Sequence, residues 1–267
     1  MSDLREAFAR ARGEGRAALI GYLPAGFPNS DDSVRIIESM VEAGVDIVEV
    51  GLPYSDPLMD GPVIQEAADT ALRAGMTPAG VLDVVQRVAA TGAATVVMSY
   101  WNPVERFGVD AFAESLARAG GSGVITPDLT PEEAGEWTRA TDDHGIDRVF
   151  LVAPSSTDAR LQTVASACTG FVYAASTMGV TGARAAVSGA AAGLVSRVRE
   201  VTDLPVAVGL GVSTGDQAAE IAGYADGVIV GSAFIRRVLD AATPGEAQAS
   251  VRALATELAA GVRRRKG

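Results

Sequence analysis

Short apolar, β-branched runs recur along the chain with little polar alternation inside them, at 17–22, 45–50, 95–100, 123–126, 148–152, 170–175, 205–208 and 227–230. Runs of this kind are apolar on both faces, which is how parallel strands read when helices cover the sheet. Segments with helical spacing lie between them, and several open on capping residues. Asn29-Ser30-Asp31-Asp32 precedes 34–43, Thr130-Pro131-Glu132-Glu133 precedes a later helix, and Ser213-Thr214-Gly215-Asp216 precedes 218–222. Eight strand–helix units in 267 residues predict an α/β fold, a (β/α)8 or TIM barrel, over a doubly wound parallel sheet. Residues 2–12 predict an extra N-terminal helix placed to plug the barrel floor, and 61–74 an extra helix after the second strand. No linker or low-complexity stretch divides the chain, so 1–267 is expected to form a single domain.

Composition narrows the classes. Hydrophobic residues make up 48% of the chain and charged residues 21%, enough for a sizeable core. A net charge of −11 argues against nucleic acid or an anionic membrane as partner. The basic run Arg263-Arg264-Arg265-Lys266 closes an amphipathic segment and reads as the favourable cationic end of a C-terminal helix. Cys168 is the only cysteine, which excludes an internal disulfide and a thiolate metal site. The N-terminal residues lack the basic and apolar regions of a signal peptide, and no apolar run is long enough to span a bilayer, so a cytoplasmic protein is expected. Lys266, in the tail, is the only lysine. Schiff-base chemistry, which needs a buried lysine, is thereby excluded.

Candidate chemistry centres on Glu49. It stands alone in an apolar run and is followed by a Pro- and Gly-rich loop carrying Asp60. Strand alternation puts Val45, Ile47 and Glu49 on one face, and strand C-termini form the active face of a barrel. A carboxyl group there is partly desolvated, which raises its pKa toward a value useful for moving protons. The competing reading pairs Glu49 with an arginine, but no other strand end supplies one. Two glycine turns follow the last two strands, Gly209-Leu210-Gly211-Val212-Ser213 and Gly231-Ser232-Ala233-Phe234. Such turns let backbone N–H groups approach an anion, and loops after the seventh and eighth strands are the usual phosphate site of this fold. A third glycine-rich stretch, Ser176-Thr177-Met178-Gly179-Val180-Thr181-Gly182-Ala183-Arg184, reads as a mobile lid that touches the phosphate.

The run Glu49-Val50-Gly51-Leu52-Pro53-Tyr54-Ser55-Asp56-Pro57-Leu58-Met59-Asp60-Gly61-Pro62 closely resembles the signature of the tryptophan synthase alpha chain family. The resemblance continues in order through Pro24-Ala25-Gly26, Met98-Ser99-Tyr100-Trp101-Asn102-Pro103, Pro127-Asp128-Leu129, Gly179-Val180-Thr181-Gly182 and both phosphate turns. It implies a lyase that splits indole-3-glycerol phosphate, by a retro-aldol route without a cofactor, into indole and glyceraldehyde 3-phosphate. It implies that Glu49 transfers protons, that Asp60 accepts a hydrogen bond from the indole N–H, and that Tyr173 lies beside the catalytic glutamate. Tyr22, Met98, Tyr100 and Leu210 would line the indole pocket, although Tyr22 and Tyr100 read equally well as core aromatics. Gly182, Gly211, Gly231 and Ser232 would hold the phosphate.

Three positions depart from the family pattern. Thr177 stands where some members carry a lid arginine, Met59 replaces a small residue and Phe27 an acidic one. The resemblance further implies a pyridoxal-phosphate beta chain as partner in an α2β2 complex, the cofactor belonging to that partner. The interface would include Pro53, Asp56, Asn102 and Pro103. Two alternatives use the same residues differently: a stand-alone lyase that releases free indole, and a catalytically silent barrel that only activates the beta chain.

Overall fold

The computed structural model describes residues 3–175, 184–209 and 211–264. The chain begins α1 (Asp3–Gly13), β1 (Ala18–Pro24), α2 (Ser30–Glu42), β2 (Ile47–Gly51), α3 (Pro62–Arg73), α4 (Pro78–Ala89) and β3 (Ala94–Met98). It continues α5 (Trp101–Phe107), α6 (Val109–Arg118), β4 (Gly123–Ile125), α7 (Gly135–His144), β5 (Asp147–Val149), β6 (Leu151–Val152), α8 (Asp158–Ala167) and β7 (Val172–Ala175). The last third is α9 (Arg184–Arg199), β8 (Val206–Gly209), α10 (Gly215–Ala222), β9 (Gly227–Val230), α11 (Ser232–Leu239) and α12 (Pro244–Val262).

All strand pairs are parallel, in the order β5-β4-β3-β2-β1-β9-β8-β7-β6. The two ends of that order are successive pieces of one strand, so the sheet wraps into the expected (β/α)8 barrel. The run expected at 148–152 is broken at Phe150, whose N–H goes to Cys168 Sγ at 3.3 Å while its carbonyl still accepts from Tyr173 N–H at 3.2 Å. Sequence pattern could not show the break, because it comes from a sulfur on a different element.

Local signals set most helix starts. Asn29, Thr77, Thr157, Thr214 and Thr243 each cap a helix by accepting from a backbone N–H three residues on. The Thr130 to Glu133 signal behaves differently. Its residues close a separate turn, with Glu133 N–H donating to Thr130 O at 3.0 Å, and α7 begins only at Gly135. The predicted helix over 61–74 is α3, with Gly61 at its N-cap and Pro62 in its first turn. A second extra helix, α5, follows β3 and meets α6 at Gly108, whose φ of 101° suits glycine alone.

The core has two parts. An outer layer packs the sheet against the helices and takes in Phe27, buried in the first loop. The barrel interior is filled by Ala18, Ile20, Ile47, Ala94, Val96, Ile125, Val149, Phe171, Ala207 and Ile229. Leu4, Ala7, Phe8 and Ala11 of α1 close the interior from below, and the Phe8 and Phe171 rings sit 5.5 Å apart. The N-terminal helix is therefore the floor plug its spacing predicted. Beside it, Arg16 is buried against Asp46 through two bonds of 2.6 and 2.8 Å. Asp46 also accepts from Leu19 N–H, so both charges are satisfied. At the other terminus Arg263 pairs with Glu14 and Arg264 with Asp216; Arg265 and Lys266 lie outside the described residues.

Candidate active site

The floor is closed, so the barrel's chemistry belongs at the opposite end, where the strands finish. Glu49 lies on β2 in the same alternation set as the interior Ile47, directly between Tyr22 of β1 and Val96 of β3. It is 2% exposed, and its Oε2 has no hydrogen-bond partner among the described residues. No arginine among the described residues pairs with it. Burial pushes its carboxyl pKa up to about 8, with the charge of Asp60 adding to the rise. Near neutral pH the group is mostly protonated yet able to ionise, as a proton shuttle requires.

Asp60 stands just before α3, where Gln65 Nε2 donates to its backbone carbonyl at 2.8 Å and fixes the end of the loop. Partial burial raises its pKa, and a hydrogen bond from the Tyr100 hydroxyl opposes the rise. Tyr100 is itself buried, and its oxygen accepts from Met59 N–H at 2.9 Å. Burial pushes the Tyr100 phenol up to about 12, so it stays a donor toward Asp60. One tyrosine thus ties the loop's backbone and its carboxylate to the end of β3. Met59, the departure beside Asp60, points outward at 55% exposure.

Aromatic and aliphatic side chains surround the pair. Tyr22 and Tyr173 face the mouth from β1 and β7, and in each case the phenol leans on a glycine of the next strand. A Cβ built on Gly51 would lie 2.5 Å from the Tyr22 hydroxyl, and one on Gly209 would lie 2.6 Å from that of Tyr173. Both phenols are pushed well up, first by burial and then by the charges of Glu49 and Asp60. Met98 and Leu151 are partly buried against the interior cluster, and Ile125 is in register with Met98. Neither Ile125 nor Leu151, which belong to or pack on the interior cluster, is singled out by the sequence reading. Counting inward positions along the fourth and fifth strands, as for β2, would have found them. Leu210 lies outside the described residues.

Across the mouth, Gly231 follows β9 and caps α11, so that Ser232 opens the helix. The first N–H groups of that helix have no partner inside it and favour an anion. Gly211, after β8, has φ of +65°, a left-handed conformation that needs glycine. Gly182 and the lid residues up to Ala183, Thr177 included, lie outside the described residues.

Outside the mouth, a groove of about 590 Å³ runs between the loop after β2 and α5. Pro53 and Asp56 line one wall, Asn102 and Pro103 the other, with Arg106 and Phe107 at one end. Asp128 anchors α5 by accepting from Trp101 N–H at 2.9 Å. In the loop after β2, Leu58 is 85% exposed. Among the described residues no group of His, Cys, Asp and Glu could hold a metal, and no helix is long and apolar enough to cross a membrane.

A (β/α)8 barrel with two carboxyl groups and two glycine turns at the end where its strands finish has the architecture of a barrel enzyme. Comparison with known proteins makes the assignment specific. The family model for the tryptophan synthase alpha chain matches residues 8–263. The tryptophan synthase alpha chain of Thermobifida fusca is 62% identical over 266 residues, covering 98% of each chain. That of Acidothermus cellulolyticus is 60% identical over 264 residues, covering 99% of this chain and 98% of the relative. Among solved structures, an open form of tryptophan synthase from M. tuberculosis matches with a TM-score of 0.91 at 51% identity, over the full length of both chains. The chain belongs to the tryptophan synthase alpha chain family.

Proposed function

We propose that this chain is the alpha subunit of a tryptophan synthase and cleaves indole-3-glycerol phosphate to indole and glyceraldehyde 3-phosphate, with Glu49 and Asp60 as its catalytic groups. The observation that carries the assignment is Glu49 itself, a buried carboxyl whose Oε2 has no hydrogen-bond partner among the described residues and whose pKa is raised to about 8. In its neutral form Glu49 delivers a proton to C3 of the indole, making the ring a leaving group. Positive charge then develops on the ring, and Asp60 accepts the indole N–H and stabilises it. The resulting Glu49 carboxylate takes the proton of the glycerol 3′-hydroxyl. The bond from C3′ to indole C3 breaks, its electrons return to the ring, and C3′ becomes the aldehyde carbon. Glu49 gives one proton and receives one, so the cycle closes without a cofactor.

In this reading Tyr173 packs beside Glu49, and Tyr22, Met98, Tyr100 and Leu210 line the indole pocket. Gly211, Gly231 and Ser232 hold the phosphate, aided by Gly182. The pyridoxal phosphate of the complex belongs to the beta chain, which docks over the groove lined by Pro53, Asp56, Asn102 and Pro103 and receives the indole in an α2β2 assembly. The whole chain works as one barrel domain, in the cytoplasm with the biosynthetic step it serves.

Indole release from indole-3-glycerol phosphate, measured with and without the beta chain, tests the proposal. The isolated chain is expected to turn over slowly and to accelerate greatly when the beta chain is added; equal rates would favour a stand-alone lyase. Glu49→Gln is expected to lose about 10²- to 10⁴-fold in kcat, the range for a general acid–base group. Full activity in that variant would reject the catalytic assignment.

A further inference from the structure

The strand order puts β1 between β2, which carries Glu49, and β9, which leads into the Gly231 turn. A substrate with its phosphate at Gly231 and its reacting carbon at Glu49 must cross the end of β1. Tyr22 occupies that crossing. Its ring root lies beside Gly231, with Cδ1 3.2 Å and Cβ 3.5 Å from where a Cβ on that glycine would sit. Its hydroxyl lies over Gly51 at the β2 side. The phenol therefore spans the interval from the phosphate turn to the catalytic strand, and glycines at both ends leave it room.

The hydroxyl at the end of that ring makes no hydrogen bond to any described residue. Nor is it among the fully buried polar atoms left without a partner, so it opens toward the mouth. Burial and the charges of Glu49 and Asp60 keep it protonated, so it is a donor. The substrate has a matching need. Its glycerol chain carries two hydroxyls between phosphate and indole, and the cleavage chemistry commits only the one at C3′ to Glu49.

We infer that the Tyr22 hydroxyl is a specificity group for the glycerol chain, donating a hydrogen bond to the 2′-hydroxyl oxygen as the chain crosses β1. The inference rests on the cleavage reaction proposed above. In this chain the ring of Tyr22 would touch the indole side of the pocket while its hydroxyl reads the chain.

The test is Tyr22→Phe, which removes one oxygen and keeps the ring, assayed in the complex with the beta chain. Three probes separate the possibilities: indole-3-glycerol phosphate, its 2′-deoxy analogue, and 3-indolylpropyl phosphate, which has both ends of the substrate but neither hydroxyl. Tyr22→Phe is expected to lower kcat/KM about tenfold on the full substrate, the loss of one neutral hydrogen bond. It should leave the 2′-deoxy analogue and the Kd of 3-indolylpropyl phosphate unchanged. An equal fall on both substrates, weaker binding of the propyl phosphate, or no change on the full substrate would each overturn the inference. If the parent complex releases no indole, or Glu49→Gln stays active, the cleavage reading fails first. A parent that cleaves and a Glu49→Gln variant that does not leave the Tyr22 result to decide this inference alone.

Discussion

Glu49 shows how burial prepares a side chain for chemistry at a cost in stability. Its pKa stands at about 8 instead of the ordinary 4.5, chiefly because the ionised form has lost its water. Between those values the folded chain keeps a proton that the unfolded chain has released. The contribution to stability is therefore full below about pH 4.5 and is lost as pH rises through about 8. Glu49→Gln removes that dependence. The variant is expected to gain on the parent by a few kcal/mol between about pH 5 and pH 9, measured by urea unfolding; a constant difference would show that the carboxyl is not held neutral. Much of this was legible in the chain: a lone glutamate at inward parity near the end of an apolar run, with no arginine at the other strand ends. The leaning of Tyr22 on Gly51 was not, because it depends on the register of two strands brought together by folding.

At the scale of elements, local chemistry placed the strands and most helices well. The break at Phe150 and the late start of α7 are tertiary outcomes, the first set by Cys168 just past the end of the following helix and the second by a turn that absorbs the capping residues. The floor plug was readable as an amphipathic segment, yet what it covers was not. Phe8 is 4% exposed and packs on Phe171 inside the barrel. Phe8→Ala is expected to cost about 3–5 kcal/mol, the range for emptying a buried aromatic site. The Tm by calorimetry checks this, and a loss under about 1 kcal/mol would mean that α1 is not part of the cooperative core.

For the whole molecule, the loop after β2 serves two surfaces. Its inner side brings Asp60 to Tyr100 at the mouth, while its outer side forms a wall of the groove and leaves Leu58 exposed. A partner docked on that groove would bear on the position of Asp60 through the same ten or so residues, which supports coupling between the two chains' states. Leu58→Asp is expected to weaken beta-chain binding about tenfold or more by placing a charge where apolar surface is buried, as read by titration calorimetry. Unchanged affinity would move the interface elsewhere. The sequence by itself determined the barrel, the identity of the two carboxyl groups and the positions of the glycine turns. These follow from period, parity and residue type, which are properties of neighbours along the chain. Only the tertiary structure decided that Glu49 Oε2 has no hydrogen-bond partner among the described residues, that Tyr100 ties Asp60 to β3, that one groove gathers Pro53, Asp56, Asn102 and Pro103, and that Tyr22 spans the way from the Gly231 turn to β2. Each of those is a meeting of groups far apart in sequence, fixed by strand order and packing rather than by local preference.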